Sequence, residues 1–263
     1  MSIWKSILIW LSCSGIPNIE GFLDIKSRST FPALEYRRRS DNNNNNEREM
    51  EFPEQYPATY ELNNYKTWKD FGDPAIVRPL LKQTQLEQRN LQVAYDANRH
   101  GWNVPAFHRA VDGKGAAVVL ARGRRGGWLG GYNPKGWSSH GGARPSVAAF
   151  LFYTTPAGKL QKLQKVGGGG LACAKDDSNT GIWLGADGLI IPLAQKPTLF
   201  PTKEARMAQS FLGTYFERGP DRKLSLFPNG CVMELSELKV LVGVYERDEE
   251  IPYSGAVLDF TSG

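Results

Sequence analysis

From Trp102 onward the apolar residues of this chain fall into short runs separated by glycine- and proline-rich turns. Residues 116–121 (AAVVLA) close on Arg122-Gly123, and Trp128-Leu129-Gly130-Gly131-Tyr132 follows a basic glycine turn. Residues 147–153 (VAAFLFY) form the strongest run and stop at Pro156-Ala157-Gly158. Runs of this length between turn residues, rich in β-branched and aromatic side chains, predict buried strands. Residues 182–184 and 189–191 flank Gly185-Ala186-Asp187-Gly188, which predicts a hairpin turning at Asp187-Gly188. Residues 224–227 and 231–235, around Pro228-Asn229-Gly230, predict a second hairpin. Residues 238–245, rich in Val, predict a long terminal strand.

Ahead of Trp102 the spacing is helical. Asp73 is placed to cap a helix whose first position is Pro74, with Ala75, Ile76, Val77, Leu80 and Leu81 on its apolar side. Thr84 and Glu87 have capping-box spacing. Leu86, Val93, Ala94 and Ala97 then recur at helical intervals until Gly101, which predicts a second helix. A third is predicted over 203–215, with Ala205, Ala208, Phe211 and Leu212 inward. Antiparallel hairpins must cover their apolar face, so the expected class is mostly β with flanking helices (α+β), a β-sandwich of two antiparallel sheets. Repeated helical crossovers, which a Rossmann-type sheet requires, are missing from the pattern.

Composition changes the picture mainly at the N-terminus. Five consecutive asparagines, residues 42–46, have little apolar surface to bury, so ordering them would cost chain entropy without return. Residues 1–60 are therefore expected to be a disordered tail, with order beginning near Asp73-Pro74, a main domain over 70–247 and an extension over 248–263. The first residues form neither a membrane span, which needs about 20 apolar residues, nor a clean signal peptide. The Ser- and Arg-rich stretch 1–40 also carries Glu20, Asp24 and Glu35, so cytoplasmic and organellar destinations both stay open. The net charge of +5 comes from 32 basic residues spread among 27 acidic ones, which argues against a nucleic-acid binder. Cys13, Cys173 and Cys231 are odd in number and far apart, which supports no disulfide framework. Cys173 and Cys231 are expected to be buried thiols.

Candidate chemistry is thin. His100 ends a predicted helix, where positive charge suits the helix dipole. His108 follows Phe107 in a segment expected to pack, and His140 lies in a glycine loop. No HExxH or closely spaced Cys/His set occurs, so no metal or cofactor site is expected. Ser138, Ser139 or Cys173 with His140 as base would be the nucleophile arrangement to consider. Adjacent residues in a glycine loop lack the required rigidity, and no GxSxG elbow exists. The Gly123–Gly127 and 167–170 glycine runs read as sheet connections, since neither has a phosphate cradle's setting. Gly130-Gly131 is expected to permit close backbone or aromatic packing against Trp128 and Trp137.

The order of these pieces resembles the TLDc domain family. The resemblance runs over residues 70–247: Trp102 and Phe107-His108, the 116–121 strand, Gly130-Gly131-Tyr132 with Trp137, Phe150 and Phe152 in the central strand, Gly185 and Gly188 in the hairpin, and the closing strands from Gly230. The predicted helices over 74–98 look like the pair that often precedes that fold. Lys239-Val240 stands where the family usually has Glu-Val, which puts any partner contact at that position in doubt. The resemblance implies a β-sandwich and a protein-interaction role without an established catalytic mechanism. It also implies links to oxidative-stress protection and to a proton-pumping ATPase as partner. Arg124 and Arg125, in an exposed turn, are the candidate partner contacts. Two alternatives stay open. One is an enzyme, which a pocket holding His108 beside Asp112 would favour; the other is an organellar structural or stress-induced protein.

Overall fold

The computed structural model describes residues 56–63, 69–124, 126–166, 171–173, 175–198 and 200–252, all within one compact unit, Asn43–Gly263. In chain order the elements are helix α1 (Asp73–Val77), strand β1 (Leu91–Asp96), helices α2 (Ala97–His100) and α3 (Val104–Val111), then β2 (Ala117–Gly123) and β3 (Trp128–Asn133). There follow β4 (Arg144–Pro145), β5 (Phe150–Thr154), β6 (Leu160–Gln164), β7 (Leu171–Cys173), β8 (Ile182–Leu184), β9 (Leu189–Ile191), β10 (Met207–Gln209) and β11 (Val232–Gly243). Short 3-10 turns cover Arg78–Leu81 and Glu204–Arg206.

Nine strands form one hydrogen-bonded path, β6-β5-β3-β2-β11-β10-β9-β8, with β1 on β11, and β4 and β7 pair separately. Every pairing between these strands is antiparallel. The spine is β11: its first three residues pair with β10, its last five with β1, and residues 235–242 pair with β2. The chain is thus a mixed α/β fold with a large antiparallel sheet and few helices. The sheet regions expected to be separate are joined through this strand.

Both faces of the sheet centre are buried, which accounts for the unbroken apolar run in β2. Ala117, Val119 and Ala121 enter one core with Leu151, Tyr153, Phe107 and Trp137, whereas Val118 and Leu120 enter a second with Tyr132, Phe150 and Phe152. Alternation between two dry faces is what makes a strand read as continuously hydrophobic. Val77, Leu80, Leu81, Leu86 and Ala58 roof the second core. Leu184 of β8 reaches the backbone of Gly131 in β3, since a Cβ there would sit 2.7 Å from the Leu184 Cδ1.

Several expectations fail on the roof and the edges. Residues 91–96 are a strand, not helix: Tyr95 and Asp96 are buried against Val240 and Lys239 of β11. The Thr84/Glu87 pair makes a turn in which the Glu87 carboxylate accepts from the Gln83 N–H and the Asn63 amide. Buried Arg78 fixes that turn, donating to the Leu86 and Glu87 carbonyls (3.0 and 3.2 Å) while pairing with Asp70. Asp73 caps nothing; Gly72 is the N-cap, and the Asp73 carboxylate instead meets Lys239 at 2.7 Å. The helix expected over 203–215 shrinks to one 3-10 turn, because β9 and β11 draw Met207–Gln209 into the sheet. Residues 224–227 are bends, so only the second arm of that hairpin is a strand, and it runs on as β11.

Order also begins before Asp73. Residues 58–60 lie along β6, where Lys162 Nζ donates to the Thr59 carbonyl at 3.2 Å and Tyr60 donates to Glu217 at 2.8 Å. Burial pushes the Lys162 ammonium down to about 8. The expected tail residues 1–55 lie outside the described residues.

Candidate functional site

Helix α3 carries the best-positioned polar side chain. Asn103 caps it by accepting from the Ala106 N–H at 2.9 Å, and Val104, Phe107, His108 and Val111 form its buried stripe at i, i+3, i+4 and i+7. Phe107 meets Tyr95 and Trp137 edge-on, with centroids 5.5 and 5.2 Å apart. These aromatic contacts fix the turn that presents His108, which is 6% exposed. Its Nδ1 lies 2.9 Å from an oxygen of Asp112, one helical turn on, and its Nε2 lies 2.8 Å from the Thr180 carbonyl.

A third segment completes the cluster. Ser139 Oγ sits 3.0 Å from His108 Nδ1 and donates to the second Asp112 oxygen. Ser139 holds φ at 58°, a left-handed conformation that needs support in a residue with a side chain. Asp176, 1% exposed, supplies it: its carboxylate accepts from the Ser138 and Ser139 N–H groups (3.0 and 3.1 Å) and from the Ser138 hydroxyl (2.9 Å). Arg144 donates to that hydroxyl at 3.0 Å and lies 3.6 Å from Asp176. Backbone bonds from Gly141 N–H to the Asp176 carbonyl and from Asp176 N–H to the Gly142 carbonyl close the loop.

The structure therefore brings a hydroxyl, an imidazole and a carboxylate together, but with His108 and not with His140, which is exposed. The glycine loop is also better braced than its sequence suggests, because Asp176 binds two successive amides. The geometry nevertheless differs from a nucleophilic relay. Such a relay turns one ring nitrogen to the hydroxyl and the other to the orienting acid. Here Nδ1 faces both, and Nε2 faces a carbonyl that can only accept. A proton on Nε2 serves the Thr180 carbonyl and one on Nδ1 is shared between Asp112 and the Ser139 oxygen; in that form the ring has no lone pair with which to act as base.

Burial opposes that charge. The hydrogen bonds to Asp112 and to Thr180, together with the Asp112 and Asp176 charges, outweigh it and hold His108 above the ordinary histidine value of 6.5. A group whose folded pKa is raised contributes stability that is complete below its unfolded pKa and fades as pH rises through the folded one. We expect His108→Gln to destabilise the fold by about 1–3 kcal/mol in acid. The difference from wild type should shrink as pH climbs above 6.5, as measured by urea unfolding across a pH series. A difference that is flat or grows with pH would contradict the protonated form.

The residues expected to contact a partner lie elsewhere. Arg124, in the β2–β3 turn, has a 76% exposed side chain whose nearest carboxylate, Glu234, is 4.0 Å away. It borders a cleft with Pro228, Asn229, Met233 and Glu234. Arg125 lies outside the described residues. Of the residues expected to define the fold, Trp102, Tyr132, Trp137, Phe150 and Phe152 are all buried. Gly185 and Gly188 both lie against the ring of Phe216. The close approach at Gly130 is to the Val119 backbone rather than to Trp128 or Trp137. Cys231, expected to be buried, is half-buried at the mouth of β11. Lys239, the departure noted above, is held by Asp73.

Sequence reasoning missed Ser139 as a partner of His108 and missed Asp176 altogether. The i,i+4 spacing of His108 and Asp112 was the available signal. Among the described residues no group of three or more His, Cys, Asp or Glu could hold a metal ion, and no helix is long and apolar enough to cross a membrane. Compared with known proteins, the chain matches one family model, that of the TLDc domain, over residues 75–240. No curated protein matches it.

Proposed function

Because the chain belongs to the TLDc domain family, its matched region spanning more than half of the 263 residues, we propose that it is a non-catalytic protein-interaction module. Its sheet serves as a scaffold that presents loops to a macromolecular partner. The observation that carries this reading is the contrast between its polar groups. Those of the His108 cluster satisfy one another inside the fold, whereas Arg124 projects into solvent beside a cleft, held only by a long ion pair with Glu234 at 4.0 Å. Loops on a rigid sheet are where contacts vary without cost to the core. We read the sheet as folding over into a sandwich, which the reach of Leu184 to Gly131 supports. The family resemblance supports a role in oxidative-stress protection, with a proton-pumping ATPase as one candidate partner. Lys239 is engaged internally, so the contact we assign to the β2–β3 turn does not depend on it.

The test is affinity capture from the native source with the full chain and an R124E/R125E variant. A stable partner should co-purify with the wild type and be recovered several-fold less with the variant. Both proteins should unfold within about 0.5 kcal/mol of each other, as surface exchanges usually do. Equal recovery would remove these arginines from the interface.

A second reading, hydrolysis through Ser139, is favoured by one observation, the meeting of its hydroxyl with His108 and Asp112. It requires His108 to shed the Nδ1 proton and Ser139 to turn its hydroxyl from Asp112 to that nitrogen. Turnover of activated esters by the wild type, lost in S139A, would establish it in place of the first.

A further inference from the structure

The interaction reading gains a specific partner chemistry from the second cleft, which adjoins the Arg124 cleft through Pro228 and Met233. It lies where the β2–β3 and β5–β6 turns meet the 223–228 loop, and its volume of about 360 Å³ falls within the range of built binding pockets. Its walls are mostly apolar or aromatic, with Trp128, Leu226, Pro228 and Met233 facing Thr154 and Thr155. Leu224 beside it is 52% exposed.

Charge along the rim is basic on balance, although carboxylates are also present. Arg122 is paired with Glu237 and stacks on Trp128 at 4.6 Å, so those two charges cancel. Asp221 accepts from the Tyr153 hydroxyl at 3.1 Å. Arg124 stands at one end in a long ion pair with Glu234 at 4.0 Å, and its side chain stays largely exposed. At the other end Lys223 sits over the Tyr153 ring at 4.3 Å, beside exposed Arg222. Exposed Lys159 follows the β5–β6 turn. An apolar slot between cations repels a basic segment and leaves a neutral one with nothing for the rim to hold. Four scattered cations around a greasy floor do not track a phosphate backbone, which calls for a continuous basic groove.

We propose that this cleft is the docking site for an acidic protein segment, which seats one bulky apolar or aromatic side chain against Trp128, Leu226 and Met233 and sets carboxylates on Arg124 and Lys223. The proposal rests on the interaction reading above and narrows it to one surface and one partner class. Apolar anchors filling a pocket at the centre, with charges at the rim, are the arrangement in which a few residues dominate affinity.

The experiment is selection of a random phage-displayed peptide library on the full chain. Synthetic copies of the enriched peptides are then titrated by fluorescence anisotropy. Enriched sequences should carry carboxylates on both sides of an aromatic or aliphatic residue. Their affinity should drop about tenfold in the R124E/K223E variant and again when the anchor becomes Ala, and should weaken with added salt. The variant's melting temperature, unchanged from wild type, shows that folding is not the cause. Enrichment of neutral or basic peptides, binding indifferent to R124E/K223E, or no enrichment overturns the docking site. If capture from the native source still returns a partner in any of those cases, the interaction module stands and only this surface is wrong. Failure of both removes the module itself.

Discussion

Gly130→Ala should leave the full chain without a stable fold. Gly130 lies in the middle of β3, opposite Leu120 of β2 and Phe152 of β5, so it is flanked on both sides by paired strands. A Cβ on it would stand 1.9 Å from the Val119 carbonyl oxygen and 3.0 Å from the Phe152 ring. The carbonyl belongs to a fully buried residue of β2. Relief would therefore require β2 and β3 to part, and a side-chain rotation would not help. An extra methylene in an adaptable core costs about 1–3 kcal/mol. A clash with ladder backbone belongs to the rarer changes beyond about 4 kcal/mol, comparable with the whole stability of a modest domain. Loss of the far-UV and near-UV circular dichroism of the wild type would check it. Gly126→Ala is the control, since nothing lies within 4 Å of its added carbon, and it should change stability by no more than about 0.5 kcal/mol. A G130A protein as stable as that control would show that the strands do not approach so closely.

The sequence displayed this sheet centre well because its strands are buried on both faces. From Ala117 to Ala121 in β2 and from Phe150 to Tyr153 in β5 every position is buried and apolar or aromatic, and such runs have few other uses. The Gly185 to Gly188 hairpin was equally legible, its turn residues and its two apolar arms agreeing. The failures share a different cause. Residues 91–96 have apolar positions compatible with a helix, and their partner strand, β11, begins more than a hundred residues later. No local signal reports a ladder completed at that distance, and tertiary pairing overrides weak helical preference. The same holds for Met207–Gln209, held between β9 and β11. There Ser210 Oγ, fully buried, donates to the Gly188 carbonyl and accepts from the Leu226 N–H. Of the candidate site, only His108 and Asp112 could be linked in advance, because one helix carries both. Ser139 comes from the β3–β4 loop and Asp176 and Thr180 from the β7–β8 loop, so their meeting with α3 depends on how α3, β3 and β8 are stacked.

Asp176 should be the side chain on which that meeting most depends. Asp176→Ala is expected to cost about 3–5 kcal/mol, the range for removing one member of a buried ion pair. Two amides and a hydroxyl lose their acceptor, and Arg144 loses its nearby carboxylate. Asp176→Asn keeps the shape and one acceptor oxygen, so the loss should be smaller, about 1–3 kcal/mol. The two variants together separate charge from packing. The effect should also reach His108, whose pKa the Asp176 charge helps to raise and whose Ser139 contact it positions. In D176N the histidine should accordingly titrate at lower pH, as followed by the NMR shifts of its ring protons. Double-mutant cycles between Asp176→Asn and His108→Gln should give a coupling of about 0.5–3 kcal/mol, as expected for residues in one network. Zero coupling, with the His108 titration unmoved, would mean that the Ser138-Ser139 loop is held by its backbone bonds alone. The cluster would then be two independent contacts that happen to adjoin.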